Sequence, residues 1–272
     1  MPHPQHAIRA ETSFATPATS VRRVGTGVVA SPSESKPSEL SRCQRCSLGT
    51  TAALGSDYRC PARRLGLPVS RGLHVASGGA LFQRDEPVNA IYVVRFGALK
   101  TDGQGRRGDA TMVDYHLPGE MVGLGSVGLP SHGSRAVALE DTELCVIRIG
   151  MLRAMYRENP ASWFAMMGLL GSAVSHYQGR LVTLGQLRAE ERIATFLVDY
   201  GERQAKAGYS ATEFVLRLSR AEIGQYLGLQ LETTSRGLGN LARCGLIQVK
   251  HRYVRFLDVD GIRRLCRSAP SA

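Results

Sequence analysis

Residues 219–246 have side-chain types and spacings that suit the reading of DNA bases. Ser219 and Glu222 stand three apart, which is the spacing of a capping box that begins a helix, and Gly228 supplies a turn after it. A second helix is predicted from about residue 230, and its inner side comprises Leu231, Thr234, Leu238 and Leu241. Its polar side carries Glu232, Ser235, Arg236 and Asn240. A short helix, a turn and a second helix with a polar face indicate a helix–turn–helix, whose second helix enters the major groove.

The polar side chains of this second helix match the chemistry of base edges. Arginine bonds bidentately to guanine, glutamate accepts from the cytosine amino group, and serine meets either kind of polar edge. A helix face that is simply solvated is the alternative interpretation. The next segment, LIQVKHRYVRFLD, predicts a hairpin without acids between its cations, so we assign Lys250 and Arg252 to phosphates.

Four cysteines form a second group with chemical potential. Cys43 and Cys46 make a C-x-x-C pair, with Cys60 after it and Cys145 much later in an apolar run. A C-x-x-C pair outside a disulfide framework indicates metal or redox chemistry. Cys145 is equally well explained as a core residue. Cys244 and Cys266 flank apolar segments and are predicted to be packing residues.

Composition and charge distribution indicate a sensing domain joined to a nucleic-acid domain. The chain has 272 residues, 43% of them hydrophobic, and a net charge of +11, distributed as +6 over residues 1–75, −2 over 76–150 and +7 over 151–272. A basic membrane-surface protein is the rival interpretation. No apolar run of 18 residues occurs and no signal segment opens the chain, so we expect a cytoplasmic protein without membrane contact.

The order of patterns predicts an α+β fold in five segments. Residues 1–40, rich in Ser, Thr, Pro and Ala, are predicted to be disordered, and 41–71 form a cysteine-containing arm. Short strands with Gly and Pro turns over 72–157 predict an antiparallel β-roll or barrel as the sensory domain. Residues 158–188 are predicted to form a dimerisation helix, and 189–272 a winged helix–turn–helix that binds DNA.

The predicted dimerisation helix has a long apolar stripe and no acidic residue between 159 and 189. The stripe comprises Met166, Leu170, Val174, Tyr177, Leu181 and Leu184. A stripe of this length between two domains favours a coiled coil with a second copy of the chain. A helix packed on its own domain is the alternative. Because an aromatic pair at Tyr177 would be attractive, we expect the dimer to persist without a bound cofactor.

The whole arrangement resembles the CRP/FNR family of bacterial transcription regulators. The resemblance covers about residues 72–265 and is carried by GGALFQRDEP, IYVVRFGALK, HLPGEMVGLGSVG, LRAEERIATFL and RAEIGQYLGLQLETTSRGLGNL, in the order of the family. The E-x-x-S-R pattern is similar to the FNR branch. It implies that Glu232, Ser235 and Arg236 read TTGA-type half-sites. The resemblance also implies a homodimer on a palindrome of double-stranded DNA, with RNA polymerase as a further partner.

The resemblance also bears on what the roll senses. Cyclic-nucleotide binders of the family need Gly-Glu and Arg-Ser pairs, where this chain has Gly123-Leu124 and Ser134-Arg135, so no cyclic nucleotide is expected. FNR-type sensors hold an oxygen-labile [4Fe–4S] cluster with four thiolates. The corresponding ligands would be Cys43, Cys46, Cys60 and Cys145, although thirteen residues separate Cys46 from Cys60 where the family has five.

Three alternatives to this reading stay open. The regulator can lack a cluster and respond to another ligand or to none, and haem held by His74 or His116 is a further possibility. A ligand-binding regulatory module without DNA function is the second alternative, which the cationic hairpin disfavours. An enzyme is the third, and the sequence contains no P-loop, nucleophile elbow or HExxH spacing.

Overall fold

The computed structural model describes residues 41–42, 60–64, 68–105, 108–158 and 160–267. Cys43 and Cys46 and the tail before residue 41 lie outside these ranges. The described chain contains an antiparallel β-roll, a long helix and a winged helix–turn–helix, in that order. This confirms the predicted fold class.

The roll consists of two antiparallel sheets packed face to face. Its strands are β1 (Ser41–Arg42), β2 (Pro68–Val75), β3 (Ala80–Phe82), β4 (Ala90–Phe96), β5 (Leu99–Gln104), β6 (Ala110–His116), β7 (Met121–Val122), β8 (Arg135–Ala138) and β9 (Thr142–Arg148). One sheet has the order β1-β2-β9-β4-β7 and the other β3-β8-β5-β6. Apolar side chains that alternate along the strands, among them Phe82, Tyr92, Leu99 and Leu144, fill the space between the sheets.

A glycine divides the apolar run 90–100, which the sequence presents as continuous. Gly97 has φ +85° and separates β4 from β5, so the chain crosses from one sheet to the other there. A Cβ at this position would lie 2.5 Å from Thr142 Oγ1 and 2.6 Å from the Asp141 carbonyl oxygen. Both the backbone angle and the contact require glycine.

Three longer helices follow the last strand of the roll. After the short α1 (Pro61–Arg64) within the arm come α2 (Ile149–Glu158), α3 (Pro160–Gln186) and α4 (Ala189–Lys206). Four glycines within α3 each reduce helix propensity by roughly 1 kcal/mol, so this 27-residue helix depends on packing. Met166 anchors this helix against the roll, and Leu187, the residue directly after the helix, is also buried.

The C-terminal domain, here called the head, begins with α4. The other elements are β10 (Glu213–Val215), α5 (Arg220–Leu227), α6 (Leu231–Arg243), β11 (Ile247–Lys250), β12 (Tyr253–Phe256) and α7 (Val259–Arg267). The capping box is formed as predicted: the Glu222 amide donates to Ser219 Oγ at 3.2 Å, and the Ser219 amide donates to the Glu222 carboxylate at 2.8 Å. Gly228 ends α5 in the left-handed conformation with φ +64°.

The roll and the head share one apolar cluster with a buried ion pair at its edge. Tyr115 of β6 packs among aromatic rings of α4 and α5. Arg203 of α4 lies with its guanidinium carbon 3.9 Å from the centre of the Tyr115 ring. Its nitrogens donate to the two carboxylate oxygens of Glu120 at 2.7 and 2.6 Å and to the Tyr115 carbonyl at 2.7 Å. Burial by itself would raise the pKa of the Glu120 carboxyl, but Arg203 outweighs it and lowers that pKa.

Glu120→Gln tests how far this ion pair stabilises the fold. The substitution leaves the Arg203 charge buried beside a neutral amide, so we expect the free energy of unfolding to fall by about 3 kcal/mol in urea titrations near pH 7. The wild type should also lose stability on acidification, because a carboxyl with a lowered folded-state pKa stabilises the fold above its unfolded pKa and loses that contribution as the pH falls through its folded pKa.

Asp199→Asn is the matched control for this experiment. Asp199 contacts the same guanidinium at 3.5 Å but is more exposed, so we expect a loss below about 1 kcal/mol. Equal losses in the two variants would contradict the dominant role given to Glu120.

Candidate nucleic-acid interface and sensory residues

Helix α6 presents the predicted base-reading side chains outward. Glu232 and Arg236 are exposed and Ser235 is half-buried, whereas Thr234, Leu238 and Leu241 are buried against the head. Leu231, expected on the inner side, is instead 46% exposed, because it is the first residue of the helix and has no preceding turn to cover it. The polar outer face predicted from the sequence is therefore present.

A close helix contact sets the position of α6. Gly237 lies against Ile193 of α4, and a Cβ on Gly237 would come within 2.4 Å of Ile193 Cδ1. Arg236 precedes this contact in the chain and is exposed to solvent. The missing side chain at 237 thus lets the recognition helix sit close to α4.

Asn240 has partners within the protein that the sequence did not indicate. Its amide nitrogen donates to the Glu190 carboxylate of α4, and its oxygen accepts from Arg243 Nη2 at 2.5 Å. These bonds tie Asn240 to the supporting helix. Its expected contact with DNA would have to compete with them.

The wing is a hairpin of β11 and β12 with His251 and Arg252 in its turn, His251 at φ 57°. Lys250 and Arg252 are exposed, and Arg252 Nη1 donates to the Arg217 carbonyl at 3.5 Å. No acid lies between the wing cations in the sequence, but the structure brings one close to them from another strand. Strand β10 pairs with β12 and brings Glu213 within 3.9 Å of Arg255. A partner strand distant in sequence supplies that acid.

The predicted dimerisation stripe is divided by the structure. Val174 and Leu181 are exposed, 54% and 69%, whereas Leu170 and Leu184 are half-buried. Met166 differs from the expectation, because it is buried in an apolar cluster with the roll of its own chain.

Tyr177 is also engaged within its own chain. Its ring is 45% exposed, but its hydroxyl donates to Asp114 Oδ2 of β6 at 2.9 Å. A pair of Tyr177 rings between two copies would therefore involve side chains that already bind Asp114 within each chain, a contact that the sequence did not indicate.

Two of the four candidate cluster ligands lie in one place. Cys60 and Cys145 are buried in the same apolar cluster, between the roll and α2 and α3. Strand β1 ends at Arg42, directly before Cys43, and joins the sheet that holds Cys145 through β2. The described residues contain no group of three or more metal-ligating side chains, and the other two cysteines fall outside them.

The remaining cysteines differ from each other. Cys266 is half-buried on α7 against the core of the head, as expected of a packing residue. Cys244 is exposed at the C-terminal end of α6 and does not pack, because the chain turns away at Gly245.

A cavity of about 660 Å³ lies between the roll, α3 and α4. Its wall includes the Gly123-Leu124 pair and Ser134, where cyclic-nucleotide binding would need a carboxylate and an arginine–serine pair in that order. Its wall also carries the polar side chains of Asp114 and His116. Burial lowers the pKa of His116, although the neighbouring Asp114 opposes that shift. The other histidine considered for haem, His74, is exposed on β2.

Two family models match the chain. A Crp-like helix-turn-helix domain matches residues 191–265, and a cyclic nucleotide-binding domain matches residues 73–159. Within the described residues, no helix is long and apolar enough to span a membrane.

Relatives match over most of their length. The transcriptional regulatory protein btr of Bordetella pertussis is 39% identical over 84% of this chain and 94% of its own. The anaerobic regulatory protein of Haemophilus influenzae is 30% identical over 82% of this chain and 87% of its own. The structure of FixK2 from Bradyrhizobium japonicum superposes with a TM-score of 0.67 and 27% identity, covering 74% of this chain and 98% of that one.

Two glycines of α6 allow a matched test of the packing that positions it. Gly237→Ala should lower the free energy of unfolding by about 1–3 kcal/mol, because the new methyl group overlaps Ile193. Gly239→Ala has open space around the new Cβ and should raise it by up to about 1 kcal/mol through helix propensity. Thermal unfolding of both variants checks the signs, and a stabilised Gly237→Ala would refute the contact.

Proposed function

Because the chain belongs to the CRP/FNR family of transcription regulators, we propose that it binds TTGA-type palindromes as a homodimer and responds to oxygen or redox state through an iron–sulfur cluster. The observation that carries the DNA-binding part is the outward face of α6, where Glu232 and Arg236 are exposed on a helix held firmly from behind. The rival hypothesis, a regulatory module without DNA function, does not account for base-reading side chain types on this face.

Recognition of bases rests on three side chains of α6. The exposed Arg236 guanidinium can donate two hydrogen bonds to one guanine, and Glu232, one turn earlier, can accept from a cytosine amino group. Ser235 lies between them along the helix. Lys250 and Arg252 extend from the wing and would contact phosphates, which fixes the orientation of the head without reading sequence.

Dimerisation is supported by the outer side of α3. Val174 and Leu181 are exposed and seven residues apart, so they form an apolar stripe on one side of α3, and Phe164 is exposed nearer its N-terminal end. No acidic residue interrupts α3. A second copy of α3 would cover the stripe, and the two heads would then reach half-sites about 34 Å apart.

Substitutions in the two kinds of DNA contact should separate their roles. Arg236→Ala should cost about 1–3 kcal/mol on a TTGA palindrome and much less on random DNA. Lys250→Ala should weaken binding to both and reduce the salt slope by roughly one unit. Fluorescence anisotropy over a salt series measures both effects. Equal losses on the two DNAs for Arg236→Ala would exclude base reading.

The cluster proposal rests on the common location of Cys60 and Cys145. Both thiols are buried in the apolar cluster beneath α2 and α3, and β1 brings the chain to the same sheet just before Cys43. Cys43, Cys46, Cys60 and Cys145 would hold the group, and the apolar surroundings of the last two would keep water from it. A [4Fe–4S] cluster supplies chemistry that is sensitive to oxygen. The name of the anaerobic regulator from H. influenzae agrees with such a signal.

The location also suggests how the signal reaches DNA. The same apolar cluster contains Met166 of the dimerisation helix and half-buried residues of α2. A change in the packing around Cys60 and Cys145 would therefore move α3 directly, and with it the stripe that pairs with the second copy.

Serine substitutions test the ligand set. Anaerobically purified protein should be brown, and replacing Cys43, Cys46, Cys60 or Cys145 by serine should remove the colour and the bound iron and sulfide. Cys244→Ser is the matched control and should leave both unchanged, since this thiol is exposed on the head. A coloured Cys60→Ser protein would remove Cys60 from the set.

The same regulator without a cluster is the second candidate. Its support is the long interval between Cys46 and Cys60, and the ordinary packing of Cys145 in a strand of the roll. A colourless anaerobic protein that binds the palindrome equally well in air would favour it.

A further inference from the structure

Two arginines from outside the helix–turn–helix hold the C-terminal end of α5. Arg180 Nη2 donates to the Tyr226 carbonyl at 2.8 Å, and Arg192 Nη1 donates to the Leu227 carbonyl at 3.1 Å. Carbonyls in the last turn of a helix have no partner within the helix, and a cation there is favoured by the helix dipole. These bonds therefore complete the end of α5 with groups that belong to α3 and α4.

Arg180 joins three parts of the molecule. It belongs to α3, the helix with the apolar outer stripe, and its other terminal nitrogen donates to the Val113 carbonyl of β6 in the roll. Its guanidinium carbon also lies 3.9 Å from the centre of the Tyr226 ring. A planar guanidinium can bond two carbonyls and stack on a ring at the same time, whereas an ammonium group cannot.

The Tyr226 carbonyl and ring that Arg180 contacts lie close in the chain to the start of the recognition helix α6. Tyr226 lies two residues before Gly228, whose turn leads into α6 at Leu231. Behind the turn, α5 and α6 touch so closely that a Cβ on Gly224 would lie 3.0 Å from Thr234 Oγ1. Because α5 and α6 are in such close contact, a restraint on the end of α5 also restrains α6.

We propose that Arg180 is a positioning residue that sets the direction of each recognition helix relative to the axis of the dimer. It acts through Tyr226 and not by contact with DNA. The inference rests on the proposed binding of a palindrome by a homodimer and goes beyond it, because it assigns the spacing between the two heads to one side chain of the dimerisation helix.

The proposal has a consequence for the DNA. Half-sites one helical turn apart lie on the same face of the duplex, so both heads can enter the major groove from that face. One inserted base pair moves one half-site by about 3.4 Å and rotates it by roughly 35°. Two heads that are held in fixed directions bind the altered spacing with lower affinity. Heads released from Arg180 can adjust, so the preference for one spacing falls.

The test compares Arg180→Met with the wild-type full chain on three fluorescent duplexes: a TTGA palindrome, the palindrome with one base pair inserted, and a single half-site. The wild type should prefer the correct spacing by about tenfold or more. Arg180→Met should reduce this ratio to about threefold or less. Its affinity for the half-site should stay within about twofold, and sedimentation should show an unchanged dimer.

Two further variants complete the design. Arg263→Met removes an equal charge from the surface of the head, where Arg263 lies 3.8 Å from Glu202, and should behave as the wild type. Arg180→Lys keeps the charge without the fork and should also lose the spacing preference. Full rescue by lysine would overturn the role of the two carbonyl contacts.

The outcomes are distinguishable from a failure of the proposed function. A wild-type protein that binds no palindrome would refute the proposed function. If the wild type binds, then an unchanged spacing ratio in Arg180→Met overturns the inference. An Arg180→Met protein that dissociates to monomers also overturns it, since Arg180 would then act on association. A loss of affinity for the half-site as large as the loss for the palindrome overturns it as well, since Arg180 would then act within the head.

Discussion

The buried ion pair between Glu120 and Arg203 is the constraint on which the arrangement of the two domains depends. The arginine is almost fully removed from water, and so it is stable only with both carboxylate oxygens, the Tyr115 carbonyl and the Tyr115 ring in place. These partners belong to the roll, whereas Arg203 belongs to the first helix of the head. Because the guanidinium and its partners face each other across the junction, their directed hydrogen bonds fix the orientation of the docked head.

Strand β6 links this junction to the rest of the molecule. Tyr115 contacts Arg203, Asp114 accepts from Tyr177, and the Val113 carbonyl accepts from Arg180. Three consecutive residues of one strand thus bind the first helix of the head and the long helix α3. A movement of α3 relative to the roll cannot leave the head unaffected, which is the physical requirement for a sensor that acts through a distant DNA-binding surface.

The cavity illustrates how a family fold can be kept while its chemistry changes. Part of its wall belongs to the segment that matches a cyclic nucleotide-binding domain, yet Gly123 and Leu124 offer no carboxylate there, and the rest of the wall comes mainly from α3 and α4. The charged groups lie toward α3 and α4 and are engaged in holding the domains together. Polar residues of this region therefore serve the junction.

The sequence by itself determined the local structures and the order of the domains. The capping box of Ser219 and Glu222, the turn at Gly228 and the polar face of α6 depend on residues three or four apart, and such spacings are visible in the sequence. Tertiary structure alone decided which polar groups meet. Glu120 and Arg203 are 83 residues apart, Asn240 and Glu190 are 50 apart, and Glu213 reaches the wing through a strand that no local pattern indicated. Periodicity reports the side of a helix or strand that is buried, but the partners of a charge are chosen by how the elements pack, and that choice is not encoded in any short spacing.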